Sequence, residues 1–303
     1  MPKIKYADTH IGRKRLALIQ ASNQIVADYT AQGYRLTLRQ LYYRLVATGV
    51  IPNTPASYTN LGNAINDARL CGLVDWDAIE DRTRERGGLM HLTNPEAAIR
   101  TIEKVYHNDL WNDQPCRVEV WVEKDALEGV IASACDPLDC GYFSCRGYTS
   151  QTAMWEAAQR FLKYDAQEVI IFHLGDHDPS GIDMTRDIRD RLELFAPGTV
   201  DVRRIALNMD QVKQYNPPPN PGKETDTRFN GYRAEFGDES WELDALEPAV
   251  LVELIQKSIK SVMDEDLYEQ AKEHQEEERK ELETIAMNYD RALTAAKGRK
   301  RRG

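Results

Sequence analysis

A chain of 303 residues is long enough for two domains, or for one domain with large additions. At 42% hydrophobic and 29% charged residues it has a globular composition, which excludes a disordered chain. The net charge of −10 excludes a protein basic all over, but the charge is uneven. Residues 1–110 carry 14 Lys and Arg against 11 Asp and Glu, and the remainder carries 25 against 38. A basic N-terminal part beside an acidic remainder fits DNA contact at one end and metal-binding carboxylates at the other.

No apolar run approaches the length of a membrane span, and the start Met1-Pro2-Lys3-Ile4-Lys5 lacks a signal-peptide core. The expectation is an intracellular chain with no membrane partner: cytoplasmic, and nucleoid-associated in a prokaryote or phage. Five widely spread cysteines do not read as a disulfide framework. Cys135, Cys140 and Cys145 recur at five-residue intervals, which matches no standard zinc pair, and buried reduced thiols are expected.

Residues 11–110 read as mostly helical. Arg15 to Tyr29 has apolar residues at helical spacing, and a turn follows at Gln32-Gly33. Thr37 is an N-cap for a second helix, with Gln40 three residues on completing a capping box. On this helix, at about 100° per residue, Leu38, Leu41, Tyr42 and Leu45 share one face. Tyr43 lies roughly 140° from Leu38, so Tyr42 is expected in the core and Tyr43 off it. Ser57 to Leu70 is a third helix, closed by Cys71-Gly72. Three short helices in this length suit a helix-turn-helix or winged-helix module, and equally a small helical bundle.

From Cys116 the pattern alternates. Strand 118–123, helix 126–133, strand 142–145, helix 150–162, strand 168–174, helix 180–195 and strand 200–206 predict a parallel sheet covered by helices. The proline-rich run 216–222 is an extended loop, and 243–262 reads as helical. Residues 265–297 form a charged helical stretch, followed by the basic run Arg299-Lys300-Arg301-Arg302. The expected class is α/β, divided as 1–110, 111–262 and 263–303.

The chemistry concentrates at Asp176-His177-Asp178-Pro179-Ser180-Gly181, directly after the apolar strand Val169-Ile170-Ile171-Phe172. Carboxylates one residue apart on an extended chain face the same way. Glu123 ends the first strand of the parallel sheet, so all three carboxylates can converge at one sheet edge. Oxygen-only ligands of this kind suit one or two Mg²⁺ ions, which orient and polarise a phosphodiester. An acidic rim with helix-capping aspartates is the plainer reading. His177 is expected to face the opposite way and pack. Lys124 is a candidate phosphate contact.

Val122-Glu123-Lys124-Asp125-Ala126, then Arg146-Gly147-Tyr148, then Asp176-x-Asp178-Pro179-x-Gly181 resemble the Toprim domain. In particular they resemble its version in the A subunit of topoisomerase VI and the related meiotic double-strand-break proteins. The resemblance implies Mg²⁺ binding by Glu123, Asp176 and Asp178. It also implies a winged-helix domain ahead of the Toprim carrying a nucleophilic tyrosine. Arg39-Gln40-Leu41-Tyr42-Tyr43-Arg44 is similar to that motif and makes Tyr43 the candidate. Arg39, four residues before Tyr43, can reach it or a phosphate beside it, and Arg44 is a further candidate DNA contact.

By this resemblance the chain is a type IIB topoisomerase-like enzyme that cleaves double-stranded DNA and links Tyr43 to a 5′ phosphate. In the family the tyrosine of one protomer meets the metal site of the other, which implies a homodimer. There is no Walker A loop, so strand passage would require a separate ATPase subunit. Compared with the family the chain is short at its N-terminal end, and residues after about 210 correspond less closely, as in a compact phage, plasmid or bacterial relative. Two rival expectations stand beside this one. The first is a Toprim nuclease in which metal-activated water attacks DNA and Tyr43 is structural. The second is a non-catalytic DNA-binding or assembly protein.

Overall fold

The protein is described by a computed structural model that covers residues 3–80, 91–164, 167–222 and 225–289. The basic run 299–302 lies outside the described residues. Helix α1 (Arg13–Ala31) leads to a two-residue strand β1 (Leu36–Thr37) and helix α2 (Leu38–Ala47). Helix α2 starts where Thr37 and Gln40 form the expected reciprocal capping box. Helix α3 (Pro55–Leu70) is capped by Thr54, with Pro55 in the first turn where its missing N–H goes unneeded. Strand β2 (Ile79–Glu80) pairs in parallel with β1. Ile19, Leu41, Tyr42, Leu45, Leu61 and Ile65 form the core of this helical part, and Ala245 from far along the chain packs into it. Helix α4 (Pro95–Val105) follows.

Strand β3 (Cys116–Val122) then opens an alternating α/β pattern. After a single 3-10 turn come α5 (Glu128–Cys135), β4 (Gly141–Ser144), α6 (Gln151–Phe161), β5 (Glu168–Leu174), α7 (Pro179–Phe195) and β6 (Val200–Ala206). The sheet order is β4-β3-β5-β6, with parallel pairing. Six consecutive buried residues in β5 explain its unbroken apolar reading, because both faces of a parallel sheet are covered. Trp121, Phe161, Ile171 and Leu192 fill one face. Among the cysteines, which are all reduced, Cys116, Cys135, Cys140 and Cys145 are buried.

Helix α8 (Met209–Tyr215), strand β7 (Asn220–Pro221), helix α9 (Phe229–Phe236) and strand β8 (Glu239–Ser240) follow, with β7 and β8 antiparallel. A 3-10 turn at Leu243–Ala245 precedes α10 (Pro248–Lys260). Helix α11 (Glu265–Met287) is the charged stretch. None of the described helices is long and apolar enough to cross a membrane.

Compactness divides the chain in another way from the linear 1–110, 111–262 and 263–303. One unit joins Met1–Arg84 to Arg117–Ser261, and a second joins Glu85–Cys116 to Val262–Gly303. In the second unit, Asn108 and Tyr106 bond Glu278, and Gln114 exchanges hydrogen bonds with the backbone of Asp264. The expected α/β class and parallel sheet are present, and the helical N-terminal part shares one unit with the sheet.

Candidate active site

The sheet order sets the position of the site. From β3 the chain moves outward to β4 and then crosses back to β5, so β3 and β5 are neighbours whose connections leave in opposite directions. Such a switch point opens a crevice at the carboxyl ends of the two strands. Glu123 follows β3, and Asp176 and Asp178 follow β5. The Glu123 amide donates to the Leu174 carbonyl at 2.9 Å, and its Oε2 accepts the Asp176 amide at 2.8 Å. Arg146 and Gly147, at φ of 53° and 82°, turn the chain after β4 so that the Gly147 amide reaches the Glu123 carbonyl at 3.0 Å.

The Asp-x-Asp-Pro-x-Gly spacing has a mechanical cause. Asp178 is the N-cap of α7: its Oδ1 accepts the Gly181 amide at 2.6 Å and the Ser180 hydroxyl at 3.0 Å. Pro179 occupies the first turn, and a Cβ at Gly181 would stand 2.3 Å from the Asp176 carbonyl oxygen. Only glycine fits there. Beneath the turn the Arg204 guanidinium donates to the carbonyls of Gly175, Asp176, Gly181 and Leu207 at 2.7–3.1 Å. Burial holds that guanidinium down to about 10, against the pull of Glu123, Asp176 and Asp178.

His177 packs, as expected, within an aromatic cluster. Its ring sits among Tyr232, Phe236 and Trp241, with Nδ1 2.8 Å from the Tyr232 hydroxyl. Its backbone exchanges hydrogen bonds with Trp241 at 2.8 and 3.0 Å. That bridge delivers two carboxylates the sequence reading did not single out, Glu242 and Asp244. The Leu243 amide between them donates to Asp176 Oδ1 at 2.8 Å.

Lys124 is the hub of this cluster. Its ammonium lies 2.7 Å from Asp176 Oδ2 and 3.4 Å from Asp244 Oδ1, and it also pairs with Glu242. Arg39 shares the same two new acids, at 2.7 Å to Glu242 and 2.9 Å to Asp244. Its guanidinium stands 5.8 Å from the centroid of the Tyr43 ring. Arg44 turns inward as well, pairing with Glu247 and donating to the Ala245 carbonyl at 3.4 Å. The expected phosphate contacts Arg39, Arg44 and Lys124 are thus all engaged in internal pairs.

Tyr43 departs from the helix-wheel expectation. It is as buried as Tyr42, at 5% exposure each. Tyr43 belongs to the same buried cluster as Leu41, Tyr42 and Leu45, its ring edge-on to that of Tyr42 at 5.2 Å between centroids, so the apolar face of α2 is wider than the wheel drawn from its leucines. The ring forms one wall of a cavity of 480 Å³, which Asn220 also lines. Asp176, Asp178, Trp241 and Glu242 line the same cavity. Glu123 stands behind it on the Asp176 amide.

The electrostatics are those of a site short of positive charge. Burial pushes the Asp176 carboxyl well above its usual range; Lys124 counters this, and Glu123, Glu242 and Asp244 add to it. Glu123 is raised for the same first reason, with Asp178 adding to the rise. Burial also works against an ionised Glu242, but Lys124 and Arg39 prevail and hold it at about 2. Such all-oxygen, buried carboxylates fit a hard divalent cation. As they stand, no three acidic, His or Cys side chains among the described residues converge on one metal position. The Lys124 ammonium occupies the electrostatic place of a cation at Asp176.

Buried beside the Arg204 brace, His173 Nδ1 lies 2.8 Å from the Thr185 hydroxyl. Burial, then Arg204, depresses its pKa from 6.5 to about 3. The folded state keeps His173 neutral, while the unfolded chain takes up a proton below pH 6.5. Stability from this residue is therefore complete above pH 6.5 and lost as pH falls toward 3, at about 1.4 kcal/mol per unit. Between pH 7 and pH 5, urea unfolding is expected to show the parent losing about 2 kcal/mol more than His173→Gln. Equal losses would contradict a buried neutral imidazole.

Compared with family models, curated proteins and solved structures, the chain matches none.

Proposed function

We propose that the chain is a metal-dependent DNA-cleaving enzyme of the topoisomerase VI A-subunit kind, with Tyr43 as nucleophile. One observation carries this reading: the Tyr43 ring and the carboxylates of Asp176 and Asp178 line a single cavity at the switch point of a parallel sheet. A phenol is a poor nucleophile until its proton is lost and the charge on phosphorus is offset. Arg39 against the Tyr43 ring supplies part of that offset. Mg²⁺ held by Asp176 and Asp178, with Glu123 behind them, would supply the rest by polarising the phosphodiester. Lys124, which pairs with Asp176 at 2.7 Å, would be the group such an ion competes with, and its ammonium would be placed to meet a phosphate oxygen. Double-stranded DNA is the substrate, and strand passage, if it occurs, uses a separate ATPase subunit.

A second reading has its own support. Burial first, then Glu242 and Asp244, push the Tyr43 hydroxyl up to about 12, which works against the phenolate. In that reading water attacks and Tyr43 is a wall of the cavity. The two separate cleanly. Supercoiled plasmid is incubated with the protein in Mg²⁺ or in EDTA, denatured, and scored for protein-linked and free ends. Protein-linked ends that require Mg²⁺ are expected. Mg²⁺-dependent free ends alone would replace the tyrosine mechanism with the nuclease, and the absence of any cleavage would remove both.

A further inference from the structure

Helix α3 turns a row of amides to solvent. Its core side is Leu61, Ala64, Ile65 and Ala68. At about 100° per residue, Asn63 lies roughly 140° from the middle of that side, with Asn60 and Asn66 about 60° to its left and right. All three are exposed, as are Ala56 and Thr59 on the same side. Asn is a poor helix former because its amide competes for the backbone, so the row costs helix stability. Among the described residues none of the three side-chain amides has a partner.

The surroundings of the row are positive. Asp67, the one acid of α3, is paired with Arg15 of α1. That pair sets the first turn of α1 against the C-terminal half of α3. The same turn carries Arg13 and Lys14, both exposed and neither with an acidic partner among the described residues. It has no acid of its own, so the positive end of the helix dipole is uncompensated there. The row holds too few apolar side chains to form the core of a protein interface. Neutral amides beside free cations are instead the two parts of a duplex-DNA reader, one to specify bases and one to hold phosphate.

The spacing suits that partner. Three residues advance a helix by about 4.5 Å, so the row spans about 9 Å, comparable with three successive base pairs. The major groove is wide enough for a helix, and an Asn amide there is bidentate to adenine, donating to N7 and accepting from N6. The methyl groups of Ala56 and Thr59 suit the thymine methyls on the facing strand.

We propose that α3 enters the major groove of duplex DNA, where Asn60, Asn63 and Asn66 read three successive adenines of one strand. Arg13 and Lys14 hold a flanking phosphate. This rests on DNA as the substrate proposed above and adds a sequence preference to it. Thr54, Pro55 and Tyr58, at the start of the same helix, line the cavity with Tyr43. The bases read by α3 therefore lie beside the bond that the tyrosine attacks.

The test measures binding of the full-length protein to short labelled duplexes in EDTA, where nothing is cut. The duplexes differ only in a central run of three base pairs: A·T, G·C, or A·T built with 7-deazaadenine. That analogue lacks the N7 acceptor and leaves the minor groove as it was. Binding to the A·T run is expected to be about tenfold tighter than to the G·C run, and 7-deazaadenine should remove most of the difference. Asn63→Ala and Asn60→Ala should each lose about tenfold on the A·T run and nothing on the G·C run. Ala is the better helix former, so both variants keep the fold. Lys14→Ala should weaken all duplexes alike and lower the salt slope by about one.

Equal affinity for the A·T and G·C runs overturns the inference. So does a preference that survives 7-deazaadenine or both Asn variants, which would place the reading in the minor groove or on another element. Tighter binding to duplex RNA, whose deep and narrow major groove excludes a helix, overturns it as well. Protein that forms Mg²⁺-dependent adducts without the preference loses this inference alone. Protein that prefers the A·T run but forms no adducts keeps it and loses the tyrosine mechanism. The absence of any DNA binding removes both.

Discussion

Tyr43→Phe is expected to lose protein-linked DNA ends by about a thousandfold or more, because removing a covalent nucleophile removes the whole chemical route. Its stability should fall by only about 1 kcal/mol or less, because the change removes one hydroxyl and keeps the buried ring. Tyr42→Phe provides the contrast one residue away. The Tyr42 hydroxyl donates to Asn53 at 2.8 Å and to the Thr54 carbonyl at 3.2 Å, a structural role that holds the α2–α3 connection. That variant is expected to keep its adducts at a similar small cost in stability. The parent's rate of adduct formation should also climb with pH. With the phenol held at about 12, the phenolate fraction rises about tenfold per unit through the neutral and mildly alkaline range. Adducts that persist in Tyr43→Phe, or vanish equally in Tyr42→Phe, would remove Tyr43 from the reaction.

Lys124→Met tests the carboxylate side of the cavity. The substitution keeps the length of the side chain but strips Asp176, Glu242 and Asp244 of their shared ammonium. Taking one partner from a buried charge cluster costs about 3 kcal/mol or more, because the remaining charges stay desolvated and uncompensated. Arg39 still serves Glu242 and Asp244, so Asp176 bears most of the loss. A divalent cation can replace what was removed. Urea unfolding is expected to show a destabilised variant that recovers a large part of its loss in millimolar Mg²⁺, while the parent responds less because Lys124 competes for the site. Equal Mg²⁺ responses in the two proteins would show that the ion does not bind where the ammonium sits.

The sheet was legible in the sequence because its signals are local. The run from Val169 to Phe172 is apolar on both faces, Thr37 and Gln40 sit at capping-box spacing, and Gly181 follows Asp178 where a helix must start under a close backbone contact. Each of those patterns has one physical cause, and the structure contains each. What stayed hidden depends on contacts between distant parts of the chain. Tyr43 joins the buried cluster of the helical part with Tyr42, a cluster that Ala245 from far along the chain helps to complete and that no helix wheel of α2 can register. Glu242 and Asp244 precede α10, Glu242 just before and Asp244 within the segment 243–262 read as helical. Only the bridge between His177 and Trp241 brings them beside Asp176. Arg204 is one of two consecutive arginines in β6, and its role in bracing four carbonyls follows from sheet order alone. The interlaced compact units arise the same way, since 85–116 groups with residues far beyond it in the chain.

The proposed mechanism makes the Tyr43 oxygen the nucleophile toward DNA in a cavity also lined by Asp176 and Asp178. Its most direct test is to locate the bond. Adducts formed in Mg²⁺ are trimmed with nuclease, digested with trypsin and sequenced by mass spectrometry. Cleavage after Arg39 and Arg44 isolates Gln40-Leu41-Tyr42-Tyr43-Arg44, so the two tyrosines are separated by fragment ions. The account predicts a nucleotide phosphate on Tyr43 and an unmodified Tyr42. A phosphate on Tyr42 or on any other residue, or cleaved DNA with that peptide wholly unmodified, would contradict it.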